Sequence, residues 1–198
     1  MKDFLIGMWV FAFVATSQAQ RVKNTPSNGV YLTLPDYLHQ HLTHGFVHKT
    51  KGYHLRTPRL DRVKLITPDS TYLYELTQIF GYREDGIDWG YRSGQLVEIV
   101  GHQCLESGSH EGLWLYRRPE WAESSPFYTY FFSKNTTDEL QWVSRSKIKE
   151  AFRKDTAFLS LLNKVRWRRI LDASANTGQP LLLDVYATAH RLHFSLRE

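Results

Sequence analysis

The chain has 198 residues, of which 42% are hydrophobic and 14% aromatic, and its formal net charge is +5. This length suits one domain, and the apolar fraction excludes a disordered chain, a collagen-like repeat and a coiled coil. Beyond the N-terminal segment, no apolar stretch approaches the ~18 residues that cross a bilayer, which excludes a polytopic membrane protein. Composition alone indicates no particular chemistry.

The N-terminus has the pattern of a secretory signal peptide. Lys2 precedes an apolar run of 11 residues, and Ser17 and Ala19 form a small-x-small cleavage site. The run is too short for a membrane anchor. We therefore expect residues 1–19 to be removed, and the mature chain to begin at Gln20. The predicted location is the periplasm or the outside of the cell, with no stable membrane insertion after cleavage.

Charge is segregated along the chain. Residues 49–64 carry six basic and one acidic side chain, residues 65–133 are acidic, and residues 134–169 carry ten basic and four acidic side chains. Basic segments of this kind either bind a polyanion or form a solvated face, and the second is the more common case. Because export removes the protein from cytosolic nucleic acid, we expect no nucleic-acid partner.

The middle of the chain alternates apolar and polar residues between turn signals, which is typical of short antiparallel strands. The strongest turn signal is Asp85-Gly86, which favours a two-residue hairpin. We predict a β-rich α+β fold in which about seven strands form a curled antiparallel meander. The predicted strands are 62–67, 71–76, 79–83, 87–92, 95–100, 112–117 and 127–132.

Helices are predicted after the strands, packed on the sheet. Ser144 and Asp155 are each placed to cap a helix, and both helices carry an apolar stripe. The last segment, 182–196, has apolar residues three to four apart and favours a helix, although its end from His190 also permits a strand. With no internal repeat or low-complexity linker, residues 20–198 are predicted to form a single domain.

Several short pieces of the chain form a pattern that resembles a family of small uncharacterised exported bacterial proteins. The resemblance implies export and no established activity, and it supplies no catalytic residues. The matching pieces are Asn28-Gly29-Val30-Tyr31-Leu32-Thr33 with Asp36-Tyr37, Ile79-Phe80-Gly81-Tyr82-Arg83, the Asp85-Gly86 turn, Leu113-Trp114-Leu115-Tyr116-Arg117, Tyr130-Phe131-Phe132-Ser133, and Lys147-Ile148-Lys149-Glu150-Ala151-Phe152 leading to Phe158.

Four histidines crowd the segment from His39 to His48. A short helix is predicted to begin at Pro35-Asp36 and to end at Gly45. On such a helix His41, His44 and His48 would share one face, where imidazoles could bind zinc or copper. The alternative is an exposed polar surface, since Gly45 precedes His48.

A second candidate site lies in a predicted hairpin loop that carries His102, Cys104, Glu106, His110 and Glu111. A thiolate beside an imidazole could act as a nucleophile or as part of a metal site. Cys104 is the only cysteine of the chain, so an internal disulfide is excluded. The surrounding sequence matches no cysteine-hydrolase signature, which favours an ordinary loop.

Aromatic residues on the predicted strands form the third candidate site. No catalytic constellation or cofactor motif is present, and we predict no cofactor. The sequence therefore predicts a non-enzymatic binding or accessory protein of the bacterial envelope, with a glycan or an envelope protein as its partner. The alternative is a metal-binding protein or an envelope hydrolase that uses one of the two histidine-containing sites. The predicted ligand residues are Trp89, Tyr91, Trp114, Tyr116, Tyr128 and Tyr130.

Overall fold

A computed structural model of the chain describes residues 26–48, 50–59, 61–105, 109–121 and 126–190. In these residues, eleven strands form an open eight-stranded antiparallel sheet and a three-stranded sheet, and four helices lie near the C-terminus. The predicted β-rich α+β fold is therefore confirmed. The predicted signal peptide, residues 1–19, lies outside the described residues.

The chain divides into two compact units, one up to Ile87 and one from Asp88. The single domain predicted for residues 20–198 stays a prediction. None of the helices in the described segments has both the length and the apolar character needed to span a membrane.

The first unit contains six strands and one short helix. Strands β6, β1 and β2 pair in that order, and β3, β4 and β5 form the separate three-stranded sheet. The core of the unit includes fully buried Val63 and Leu65, which alternate with polar residues along β4. The elements are β1 (Asn28–Tyr31), α1 (Leu34–Leu38), β2 (Thr43–Phe46), β3 (His54–Arg59), β4 (Arg62–Ile66), β5 (Thr71–Glu75) and β6 (Gly81–Glu84).

Helix α1 is shorter than the sequence predicts. Thr33 caps its start, and Asp36 completes a capping box with the Thr33 backbone. The helix ends at Leu38, because Gln40 has a φ of 55° and the chain leaves the helical conformation there. The predicted continuation to Gly45 is therefore wrong, and Gly45 lies in β2 instead.

The second unit contains five strands followed by helices. The strand order is β11-β10-β9-β8-β7, and each strand is antiparallel to its neighbour. The elements are β7 (Ile87–Arg92), β8 (Gln95–Cys104), β9 (Gly112–Trp121), β10 (Pro126–Ser133), β11 (Gln141–Trp142), α2 (Arg145–Ala151), α3 (Thr156–Lys164), a 3₁₀ helix (Trp167–Arg169) and α4 (Leu181–Ala189).

The two predicted helix caps are confirmed. The Ser144 hydroxyl accepts a hydrogen bond from the Lys147 backbone at the start of α2, and the Asp155 carboxylate accepts one from Phe158 at the start of α3. The last segment is helical as far as Ala189. The alternative strand from His190 onward lies almost wholly outside the described residues.

Helices α2, α3 and α4 pack on one face of the sheet, as predicted. Leu113, Leu115 and Phe132 point to this face from β9 and β10, and they form a buried cluster with residues from each of the three helices. Gly101 on β8 allows α4 to approach closely, since a Cβ atom there would lie 2.8 Å from Leu183 Cδ1. The cluster residues from the helices include Ile148, Phe158, Leu162, Leu183 and Tyr186.

Candidate functional site

A row of side chains crosses four strands of the second unit, and Tyr130 at one end of the row packs against the helix–sheet cluster. Trp89 on β7 faces Glu98 on β8, Glu98 faces Arg117 on β9, and Arg117 faces Tyr130 on β10. Directly facing residues of a sheet point to the same side. Leu115 lies two residues before Arg117, so the row lies on the helix-covered side of the sheet.

A second row lies beside the first on the same side. Tyr91 faces Leu96, and Tyr128 faces Pro119. We call Trp89, Tyr91, Tyr128 and Tyr130, together with Glu98 and Arg117, the aromatic face. Four of the six predicted ligand residues therefore lie on one surface of the sheet.

An ion pair occupies the centre of the aromatic face. Arg117 contacts Glu98 through two hydrogen bonds, from Nη2 to Oε1 at 2.6 Å and from Nε to Oε2 at 2.7 Å. The side chains are only 28% and 12% exposed, respectively. The hydrogen bond from Arg117 to Glu98 raises the pKa of Arg117, with a further contribution from Tyr130. Two-point contact of this kind fixes both the position and the plane of the guanidinium group.

The guanidinium group also positions Tyr128. Its central carbon lies 4.3 Å from the centre of the Tyr128 ring, within the range of a cation–π interaction. The Tyr128 residue is 45% exposed, whereas Trp89, Tyr91 and Tyr130 are half-buried. An exposed aromatic ring is thus held over a fixed cation, with further aromatic side chains alongside, before any ligand binds.

Trp114 and Tyr116 lie on the other side of β9 and are fully buried. The Trp114 ring stacks on His102 at 4.5 Å between ring centres, and its Nε1 atom donates to the His110 carbonyl at 3.1 Å. Neither side chain has surface for a ligand. The prediction that all six aromatic residues form one ligand surface is therefore corrected to four of them.

The three histidines of the predicted metal site have different contacts. His41 Nδ1 lies 3.3 Å from Asp36 Oδ1, the His44 ring stacks on Tyr72, and His48 forms a hydrogen bond with Asp85. Their predicted common helical face does not exist, because α1 ends at Leu38. Across the described residues, no group of three or more His, Cys, Asp or Glu side chains is placed to hold a metal ion.

His102 and Cys104 lie at the end of β8 rather than in the predicted loop, and they lack the charge states that a thiolate nucleophile requires. Burial raises the pKa of Cys104 to about 11 and lowers the pKa of His102 to about 4. At neutral pH the thiol is therefore protonated and the imidazole is neutral. His110 Nδ1 lies 3.1 Å from Thr136 Oγ1, and Glu106 lies outside the described residues.

A cleft of about 880 Å³ at the ends of α2 and α4 was not predicted from the sequence. His190 and Asp155 lie on its wall with His190 Nε2 2.8 Å from Asp155 Oδ2, and Tyr186 lies against the His190 ring. Among the described lining residues there is no serine, threonine or cysteine that this pair could activate as a nucleophile. Because Asp155 also caps α3, the pair has a structural role.

Comparison of the chain with protein-family models, with curated proteins and with solved structures found no match.

Proposed function

We propose that the protein is an exported, non-enzymatic binding protein of the bacterial envelope and that its ligand binds to the aromatic face. The observation that carries this proposal is the Glu98–Arg117 ion pair, which holds exposed Tyr128 in place among three further aromatic side chains. A rigid aromatic surface exposes large contact area at little entropic cost on binding. The N-terminal sequence pattern supports export.

A glycan is the ligand class that suits this surface. Sugar rings have apolar C–H faces bordered by hydroxyl groups, so they complement aromatic rings that alternate with polar side chains. Glu98 and Arg117 neutralise one another, which removes the net charge that a charged ligand would require. The tyrosine hydroxyls and the outer atoms of the ion pair supply donors and acceptors for sugar hydroxyls.

The alternative of an envelope hydrolase or metal protein receives no comparable support. The high pKa of Cys104 opposes nucleophilic attack at neutral pH. His41, His44 and His48 contact three different partners in the described structure. A binding surface therefore remains the best-supported site.

Tryptophan fluorescence tests the proposal, because Trp89 lies within the aromatic face. We expect soluble chitotetraose or cellotetraose to change the emission of the wild-type protein in a saturable manner. Tyr128→Ala should weaken binding about tenfold or more, since stacking on one aromatic side chain contributes ~1–3 kcal/mol where rings stack on an aromatic platform. Absence of saturable binding by either oligosaccharide would contradict a glycan ligand.

Phe127 provides the matched control. It precedes Tyr128 on β10, is 52% exposed and points to the other side of the sheet. Phe127→Ala removes a similar aromatic area and should leave the affinity unchanged. Equal loss of affinity in both variants would show that the aromatic face is not the binding surface.

A further inference from the structure

The three-stranded sheet of the first unit pairs like charges. Arg56 on β3 directly faces Lys64 on β4. Like charges in facing positions destabilise a sheet. The hairpin therefore carries a repulsive pair at this position, where a neutral or acidic partner for Lys64 would be more stable.

These basic residues lie on the open side of the sheet. Val63 and Leu65 alternate with Arg62 and Lys64 along β4, and their side chains are fully buried on the opposite side. Arg56 is exposed, and the Arg62 side chain is 37% exposed. The positive charge is thus directed to solvent rather than into the core.

Few acidic side chains balance the positive charge on the open side of the three-stranded sheet. Arg62 Nη2 lies 3.0 Å from Glu75 Oε1 on β5, and this ion pair is exposed. Arg56 and Lys64 have no ion-pair partner among the residues that the structure describes. Two cations therefore face one another in register without a counter-charge.

An apolar side chain completes the arrangement. Leu73 on β5 faces Lys64, so Arg56, Lys64 and Leu73 form a continuous row across the three strands. Leu73 is 56% exposed, although nearby core positions are fully buried. We call Arg56, Arg62, Lys64 and Leu73 the basic face.

We propose that the basic face binds the surface of a membrane that contains anionic phospholipids. Headgroup phosphates would supply the counter-charge that the sheet lacks, and each lysine or arginine near such a surface strengthens binding. The acyl boundary beneath the headgroups would accept the Leu73 side chain. An acidic polysaccharide could neutralise the cations but would leave Leu73 in water, so the lipid surface fits the row better.

Vesicle co-sedimentation tests this proposal with the full mature chain. We expect binding to phosphatidylcholine vesicles that contain phosphatidylglycerol, no binding to pure phosphatidylcholine vesicles, and weaker binding as salt is raised. The double variant Arg56→Gln/Lys64→Gln should bind anionic vesicles roughly 30-fold more weakly. Leu73→Ser, which keeps every charge, should also weaken binding.

The control removes the same charge elsewhere. Lys154 and Lys164 are exposed residues of the second unit, and Lys154→Gln/Lys164→Gln should retain the wild-type affinity. Equal loss of binding in both double variants would overturn the proposal, since net charge alone would then explain it. Failure of the wild-type protein to bind anionic vesicles would also overturn it, as would binding to immobilised dextran sulfate without binding to vesicles.

Stability provides a second readout that does not depend on lipid. Because Arg56 and Lys64 repel one another, Lys64→Gln should raise the melting temperature in the absence of vesicles while it weakens vesicle binding. A higher melting temperature together with weaker vesicle binding would show that Lys64→Gln removes a binding residue, since a misfolded variant would have a lower melting temperature. A lower melting temperature for Lys64→Gln would contradict the repulsion on which the proposal depends.

Discussion

One carboxylate joins the start of helix α3 to the end of helix α4. Asp155 Oδ1 accepts a hydrogen bond from the Phe158 backbone at 3.0 Å, and Asp155 Oδ2 lies 2.8 Å from Nε2 of His190, the residue that ends α4. The two side chains are 19% and 24% exposed. Asp155 is therefore both the cap of α3 and a link to His190, a residue 35 positions further along the chain at the end of α4.

Removal of the Asp155 carboxylate should abolish both the cap on α3 and the contact with His190. We expect Asp155→Ala to lower the free energy of unfolding by about 2 kcal/mol, from a lost cap and a lost hydrogen bond. Asp155→Asn should cost less, since asparagine is an equally good cap. Ser144→Ala is the control, because the Ser144 hydroxyl caps α2 and also contacts Ser146 of the same helix but, among the described residues, does not contact a second helix, and this change should cost about 1 kcal/mol. Urea unfolding measures the free energy of unfolding of each variant. If Asp155→Ala lowers it no more than Ser144→Ala does, the contact between Asp155 and His190 does not stabilise the protein.

Local patterns predicted the caps but not the contact with His190. Asp155 precedes an apolar stripe with helical spacing, so the cap depends on neighbouring residues alone. The partner at His190 depends on how two helices pack, and no local signal encodes that packing. The existence of strands was predictable for the same reason, since the alternation along β7 and the Asp85-Gly86 turn are local features.

The candidate site was predictable only in part. Strand β9 is apolar on both sides around Trp114, so alternation could not decide which side remained open to a ligand. The structure buries Trp114 and leaves Tyr128 exposed. The Glu98–Arg117 pair was missed because it joins two strands in a register that sequence patterns do not fix. The short helix α1 was predicted too long because the left-handed conformation of Gln40 has no glycine to signal it.

The helix–sheet core should be sensitive to the loss of a single leucine. Leu162 on α3 is 2% exposed and belongs to the cluster that covers β9 and β10. Leu162→Ala should therefore lower the free energy of unfolding by about 2–5 kcal/mol, as for other buried large-to-small changes. Leu73→Ala, at an exposed leucine, should change it by less than about 0.5 kcal/mol. Similar urea midpoints for the two variants would mean that α3 does not pack on the sheet.

Cys104 should react slowly with thiol reagents. Burial raises its pKa from the ordinary value of 9.0 to about 11, so the thiolate fraction at pH 8 should be about a hundredfold lower than for a free cysteine. We expect slow modification by iodoacetamide in the folded protein and fast modification in urea. The folded-state rate should rise with pH up to about 11. Rapid modification at neutral pH would instead support the hypothesis that Cys104 is a nucleophile.

Stability should fall on acidification because of His102. Burial against Trp114 lowers the pKa of His102 from 6.5 to about 4, an effect that Asp88 partly offsets. Between these two values the unfolded chain binds a proton that the folded protein does not. The free energy of unfolding should therefore be constant above pH 6.5 with respect to this group, and it should decrease as the pH falls toward about 4.

The shift in the pKa of His102 sets the size of this effect. At low pH the free energy of unfolding should be lower by about 3 kcal/mol in total. His102→Phe keeps an aromatic ring against Trp114 but cannot bind a proton, so it should lose less stability over this pH range. His39→Phe replaces an exposed histidine and controls for the substitution itself. Urea unfolding at a series of pH values measures each slope. The same slope in the wild-type protein and in His102→Phe would mean that His102 is not buried as a neutral ring.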